Sequence, residues 1–432
     1  MVDMARSSDA EQRLLEKARR YLPGGNSGNL ALPAELAFLA SHGKGAHIFD
    51  VSGNEYVDWL MGSGPMILGH AHPAVTEAVI KAVENGSTFF ATNDKAVELA
   101  EVMVNVVPCA EQVRFTTSGT DACFNAMRAC RAFTGKEKIL KFEGGFHGTS
   151  DYALMSLTPP ASVEYPQSRA SSGGIPKAIE DLMLIAPYND LATTETIINA
   201  HLDDIAAVIV EPIQRVIAPK PGFLQGLRDL TKRHNIPLIF DEVVTSFRLA
   251  YGGAQEFYGV TPDICTVGKI MGGGYPLAAV LGRADILSVF DRGASDSDTY
   301  VNQIGTLNGN PVACAAGLAT LDVMREEGTY EKIYRAGAAI RNALVNICNE
   351  NGVPVQNCGE DAIFDIYFSE QPVFNYRDTL AADSAMMTRF NTGLLERGIF
   401  KGVQKYYPSA VHSDEDVSRT IEAIREVIPL IR

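Results

Sequence analysis

From about residue 113 to residue 282 the chain alternates short apolar runs of β type with stretches of helical periodicity. The runs are 113–117, 138–142, 206–210, 236–240 and 264–267, and a helical pattern over 121–131 follows the first of them. Parallel strands need crossover connections, usually helices, so this alternation predicts an α/β unit with a largely parallel sheet. After Ala315 the pattern lengthens into amphipathic helices over 312–325, 329–352, 379–397 and 414–431, separated by short strands such as 363–367. That change predicts a second, smaller domain. Residues 11–20 read as a charged helix, and 159–176, rich in Pro, Ser and Gly, as one long loop.

The polar residues of interest fall just after the apolar runs: Ser118-Gly119-Thr120, Gly144-Gly145-Phe146-His147, Glu211, Asp241 and Lys269. Open α/β sheets bind ligands at the carboxyl ends of their strands, so these five positions are predicted to converge on one edge. Lys269 is followed closely by Gly272-Gly273-Gly274. A lysine there can be desolvated, lose its proton and attack a carbonyl, as Schiff-base chemistry with pyridoxal phosphate requires; a solvated loop lysine is the plain alternative.

Asp241 can hold a pyridinium nitrogen protonated, although a helix N-cap accounts for it equally. Ser118, Gly119 and Thr120 precede a helix, where hydroxyls and backbone N–H groups bind phosphate or simply cap. Phe146 can lie flat on an aromatic cofactor, with His147 beside it, Val243 can meet the opposite face, and each fits a core position as well. Glu211 and Gln214 place polar groups near a phenolic oxygen, or lie on a surface loop. Thr306, in the turn-rich run 305–311, is a second phosphate donor. Together they describe one cofactor site.

Composition narrows the class. At 432 residues the chain is expected to form two domains. With 46% hydrophobic and 21% charged residues, and no apolar run approaching the ~18 residues of a membrane span, it reads as soluble and not membrane-inserted. Its first residues lack the apolar core of a secretory signal, so a cytoplasmic location is expected. Seven cysteines, odd in number and without a CxxC, argue against a disulfide framework and a zinc cluster, and no metal is expected. A net charge of −15 disfavours nucleic acid as a partner.

The ordered set SGT, GGFHG, EP, DEV, GK with its triple glycine, and GTLNGNP resembles the class III aminotransferases of PLP fold type I over nearly the whole chain. Within them, 64–73, 247–253 and 259–263 are most similar to the glutamate semialdehyde aminomutase branch. The resemblance implies a large domain with a mostly parallel central sheet flanked by helices (65–318). It also implies a smaller α+β domain built from 1–64, which contributes to the active-site entrance, and 319–432. It further implies pyridoxal 5′-phosphate as cofactor, Lys269 as Schiff-base lysine and proton shuttle, Asp241 on the ring nitrogen and Ser118, Gly119 and Thr120 on the phosphate. Thr306 would be donated by the neighbouring subunit of a homodimer with shared active sites. Phe146 stands where tyrosine is more usual, and Asp121 where glutamate is.

The departures lie where aminomutases hold substrate. After 23–27 that branch brings in an arginine, but Gly28-Asn29-Leu30-Ala31-Leu32 contains none. Losing a buried bidentate partner costs a carboxylate ligand about 2–5 kcal/mol. The branch's tryptophan corresponds to Ser63, and 400–408 is shorter and lacks an expected glutamate. Arg215 stands where the branch has small or amide residues, either as the replacement carboxylate partner or as a solvated loop arginine. Arg248, Lys401 and Lys405 are further choices, and Asn29 and Ser63 mark the altered substrate side.

The expected activity is transfer of an amino group from a β- or ω-amino acid or primary amine to a keto acid. The alternatives are intramolecular transfer by glutamate-1-semialdehyde 2,1-aminomutase and a racemase or epimerase of the same fold. A non-catalytic regulatory binder is the remaining class, and no basic helix-turn-helix segment flanks the domain.

Overall fold

The computed structural model describes residues 7–29, 32, 36–403 and 405–431. It divides into two compact units: Ala74–Glu326 with Val373–Leu380, and Met1–Pro73 with Glu327–Pro372 and Ala381–Arg432. The larger unit is built on seven strands: β1 Gln112–Thr116, β2 Lys138–Phe142, β3 Met183–Ala186, β4 Ile205–Val210, β5 Leu238–Asp241, β6 Ile264–Val267 and β7 Ala278–Gly282. Their spatial order is β1-β7-β6-β5-β4-β2-β3. β7 runs antiparallel to both its neighbours, and the pairs from β6 through to β3 are all parallel.

A parallel sheet covered on both faces reads as unbroken apolar sequence, and β4, Ile-Ala-Ala-Val-Ile-Val, is buried at all six positions. Helix α1, Gly119–Thr134, lays Ala122, Cys123, Ala126 and Cys130 in one core with Ile209, Ile239, Ile264 and Val280. The five anticipated strands form within two residues of their expected bounds. β3 and β7 were not anticipated: β3 has only four residues, and β7, Ala-Ala-Val-Leu-Gly, is poor in strand-forming side chains. All seven cysteines are buried and unbridged. Among the described residues no helix is long and apolar enough to cross a membrane.

In the smaller unit Ala40–Lys44, His47–Asp50, Glu55–Asp58 and Ile399–Phe400 form a four-stranded sheet, and Gln356–Glu360 pairs with Ile363–Tyr367. Trp59 is completely buried; its indole N–H donates to Thr420 Oγ1 at 2.9 Å and its ring stacks on His412 at 3.9 Å. Burial brings His412 down to about 4, so it is neutral there. The helix expected over 379–397 is two helices, Tyr376–Thr379 and Ser384–Leu395. Asp383 starts the second by accepting the Met386 N–H at 2.7 Å, and Val373–Leu380 packs with the larger unit instead.

Candidate active site

Asp241 ends β5 and pairs in register with Thr266 of β6. Both carboxylate oxygens are engaged. Oδ1 accepts from Thr266 Oγ1 and the Val243 N–H, each at 3.1 Å, while Oδ2 accepts from His147 Nδ1 at 2.7 Å and the Cys123 thiol at 3.2 Å. Burial pushes the Asp241 carboxyl up, but His147, Cys123 and the Val243 N–H together outweigh it and hold the group below its ordinary value. Asp241 is thus a dry, ionised carboxylate. Cys123, His147 and Asp241 lie close enough to share a metal ion. His147 and the Cys123 thiol, however, already donate to the same Asp241 oxygen, and burial with the Asp241 charge pushes the thiol up.

Lys269 lies two residues beyond β6, half-buried and at φ +50. A Cβ on the preceding Gly268 would meet Val243 at 3.5 Å, and one on Gly119 would meet the same valine at 2.9 Å. Val243 therefore sits between the segment that carries Lys269 and the turn that opens α1. Gly273, at φ +58, has its backbone against helix Pro311–Met324, where a side chain would strike the Ala316 carbonyl at 2.7 Å.

The loop after β2 is held from several sides. The Phe146 N–H donates to Glu211 Oε2 at 2.8 Å, the Gln214 amide donates to the Glu143 carbonyl at 2.8 Å, and Gly144 (φ +83) lets Tyr376 approach. Buried Glu143 receives Arg377 through two nitrogens (2.7 and 3.2 Å) and the Tyr165 hydroxyl at 2.6 Å. Glu211 and Gln214 thus position this loop directly. Phe146 leaves 41% of its surface exposed although its backbone is fixed. A ring held this way is a platform for a flat ligand.

Beneath the loop lies Lys141, which sequence reasoning missed. It is completely buried, with no ion-pair partner among the described residues, and its ammonium donates to the carbonyls of Gly145 (3.0 Å), Ala153 (2.8 Å) and Met155 (2.7 Å). Burial brings it down to about 7, with the Glu211 charge pulling the other way. The signal in the sequence was a lysine inside an otherwise apolar strand, Lys-Ile-Leu-Lys-Phe, of a sheet buried on both faces.

At the opening of α1, Ser118 caps the helix through the Asp121 N–H at 3.2 Å, and Thr120 Oγ1 accepts the Thr149 N–H at 3.3 Å. A Cβ on Gly148 would fall 2.5 Å from that Oγ1. Capping is therefore realised, and the exposed Ser118 hydroxyl still borders the positive end of a sixteen-residue helix. Thr306 is exposed on the rim of an open groove of about 630 Å³ that also includes Phe89, Phe90 and Ile304.

Residues 32–428 match the Aminotransferase class-III family. The chain belongs to the class-III aminotransferases. An omega-transaminase from Sphaerobacter thermophilus is 35% identical, with 99% of each chain covered and a TM-score of 0.93. A beta-phenylalanine aminotransferase from Variovorax paradoxus is 32% identical over 98% of this chain and 94% of its own, with a TM-score of 0.87. A glutamate-1-semialdehyde aminomutase from Pseudomonas aeruginosa PAO1 shares the fold at 24% identity and a TM-score of 0.87, covering 99% of this chain and 95% of its own. The aminotransferase is accordingly a pyridoxal-phosphate enzyme of fold type I.

Its residues fit that cofactor. The aminotransferase offers a buried anion for the ring nitrogen, an exposed Phe146 face, a helix N-terminus with hydroxyls for the phosphate, and glycines at 119 and 148 where side chains would fill the cradle.

The substrate-side candidates separate. Lys401 is buried in a two-bonded pair with Asp365 (2.8 and 2.9 Å), and Lys405 lies 5.9 Å from the Tyr407 ring centroid. Arg248 is buried. Asn29 is exposed in a bend and Ser63 is exposed at φ +68, both in the smaller unit, whereas Leu30, Ala31 and Gln404 lie outside the described residues. Arg215, in the larger unit, is half-buried at φ +62 with its guanidinium carbon 5.5 Å from the Phe146 ring centroid.

Proposed function

We propose that this aminotransferase moves an amino group from a β- or ω-amino acid or a primary amine to a keto acid, using Lys269 and Asp241 as its central residues. The observation that carries the reading is the dry Asp241 carboxylate, kept ionised by His147 at a strand end whose neighbouring strand leads to Lys269. Pyridoxal phosphate, when bound, supplies the electron sink for the substrate's reacting carbon and carries the amino group between the two half-reactions. Asp241 presents a fixed negative charge to the ring nitrogen, and His147, Cys123 and Thr266 keep that carboxylate aimed. Phe146 and Val243 would hold the ring. Ser118, Gly119 and Thr120 would receive the phosphate. Glu211 and Gln214 hold the Phe146 loop in place and would face the cofactor's phenolic oxygen. The Lys269 amine would hold the cofactor in the resting enzyme and would hold and move the substrate proton during the reaction.

The enzyme works as a homodimer in which Thr306 reaches the partner's phosphate. Exposed Phe90 and Ile304, 69% and 72% accessible beside Thr306, support that arrangement, because neighbouring apolar side chains on a rim favour burial by another chain.

The test is single-turnover spectroscopy of the purified holoenzyme against α-, β- and ω-amino acids and simple amines, with Lys269→Ala as control. Conversion of the visible band only with donor, its return only with keto acid, and loss of both in the variant support the proposal. Turnover of a donor with no keto acid required would instead establish the intramolecular aminomutase reaction.

A further inference from the structure

Arg215 and Val216 form a two-residue turn closed on both sides: Gln214 and Ile217 exchange backbone hydrogen bonds of 3.0 and 2.8 Å. The first central position of such turns favours glycine, because φ is positive there. Here it is arginine, at φ +62. A side chain in that region strains the backbone, and such strain clusters at functional sites.

The guanidinium is unengaged, unlike those of Arg377, Arg114 and Arg131. Arg377 is held by Glu143 and the Val163 carbonyl, Arg114 by Gln303, and Arg131 by the Glu137 carbonyl. Among the described residues Arg215 has no hydrogen bond and no ion pair, only the Phe146 ring. A cation–π contact at a partly exposed site is weaker than the two charge-assisted hydrogen bonds a carboxylate offers to the same fork. A carboxylate arriving beside Phe146 therefore captures Arg215 from the ring. The turn is braced for this role: Gln214 is tied to the Glu143 carbonyl and Phe146 to Glu211.

We infer that Arg215 reads the carboxylate of the amine donor, so that the preferred substrates are amino acids and not carboxylate-free amines. The inference rests on the aminotransferase reading above and names its substrate class. Arg215 takes over a task for which the segment around Asn29 has no arginine.

The test uses the holoenzyme and its Arg215→Met, Arg215→Lys and Arg215→Gly variants with two donors of one skeleton, 3-aminobutanoate and 2-aminobutane. Binding of butanoate, which carries no amine, is measured by calorimetry. Arg215→Met should raise KM for 3-aminobutanoate and Kd for butanoate by about 30-fold or more, leaving kcat and the 2-aminobutane parameters within about twofold. Lysine should fall between. Arg215→Gly should lose butanoate equally while raising the melting temperature, an outcome that a purely structural arginine would not give. Equal effects on both donors, or unchanged butanoate affinity, would overturn the inference. A wild-type holoenzyme whose spectrum responds to no donor would overturn the aminotransferase reading instead, while the butanoate measurement still decides Arg215.

Discussion

Replacing Lys141 by methionine tests whether the loop that carries Phe146 and His147 rests on a buried cation. The ammonium has an ordinary value of 10.5, and burial in the fold brings it to about 7. Between those values the unfolded chain binds a proton that the folded chain lacks. Stability therefore rises with pH across this window and gains nothing further from Lys141 below it, where both states are protonated. At ~1.4 kcal/mol per pH unit the whole interval amounts to ~5 kcal/mol, of which pH 6.5 to 9.5 captures ~3–4 kcal/mol. Methionine removes the titration but leaves three carbonyls without this donor, each worth about 1–3 kcal/mol. The absolute stability of Lys141→Met is thus a difference of opposing terms, whereas its pH dependence has a definite sign. For a chain of 432 residues the unfolding entropy is ~0.9 kcal/mol/K, so the melting-temperature gap between wild type and variant should move by about 4 °C in favour of wild type over that range. Paired calorimetric scans at both pH values measure it. Lys141→Arg, charged throughout, should lack the same slope. A gap that stays constant with pH would refute the reasoning.

Asp241→Asn keeps the side-chain shape but removes the charge proposed to face the ring nitrogen, and kcat in the donor half-reaction should fall on the order of 10²–10³, read by stopped-flow absorbance. In the smaller unit, Lys401→Met leaves Asp365 buried without its cation; urea titration should show a loss of about 3–5 kcal/mol, and the double variant Lys401→Met/Asp365→Leu should recover most of it. A double variant as unstable as the single one would contradict that account.

The strand-end positions were legible because each follows an apolar run whose end is visible in the chain: Asp241 after Phe240, Lys269 just past Val267. The bond between His147 and Asp241 was not, since 94 positions separate them and only the sheet order brings β2 and β5 to flank β4. Lys141 was hidden for a different reason. A lysine at alternate positions of a strand normally faces water, and nothing local reveals that three carbonyls from later segments will surround it. Arg215 was visible as an oddity of sequence, but its strained turn and a guanidinium that meets only the Phe146 ring among the described residues became evident only in three dimensions. The break within 379–397 was masked by helical periodicity that continues through Asp383, where a cap restarts the helix.

The short segment Val373–Leu380 has a consequence for how this enzyme can be cut or recombined. Its residues pack with the larger unit although the chain on both sides belongs to the smaller one, so the backbone passes between units four times. A fragment ending at Glu326 would contain the whole seven-stranded sheet yet lack Arg377, leaving buried Glu143 without its cation beneath the Phe146 loop. Neither unit is a portable module. Grafting a different smaller unit onto this sheet requires that the larger unit keep the segment that brings Arg377 to Glu143.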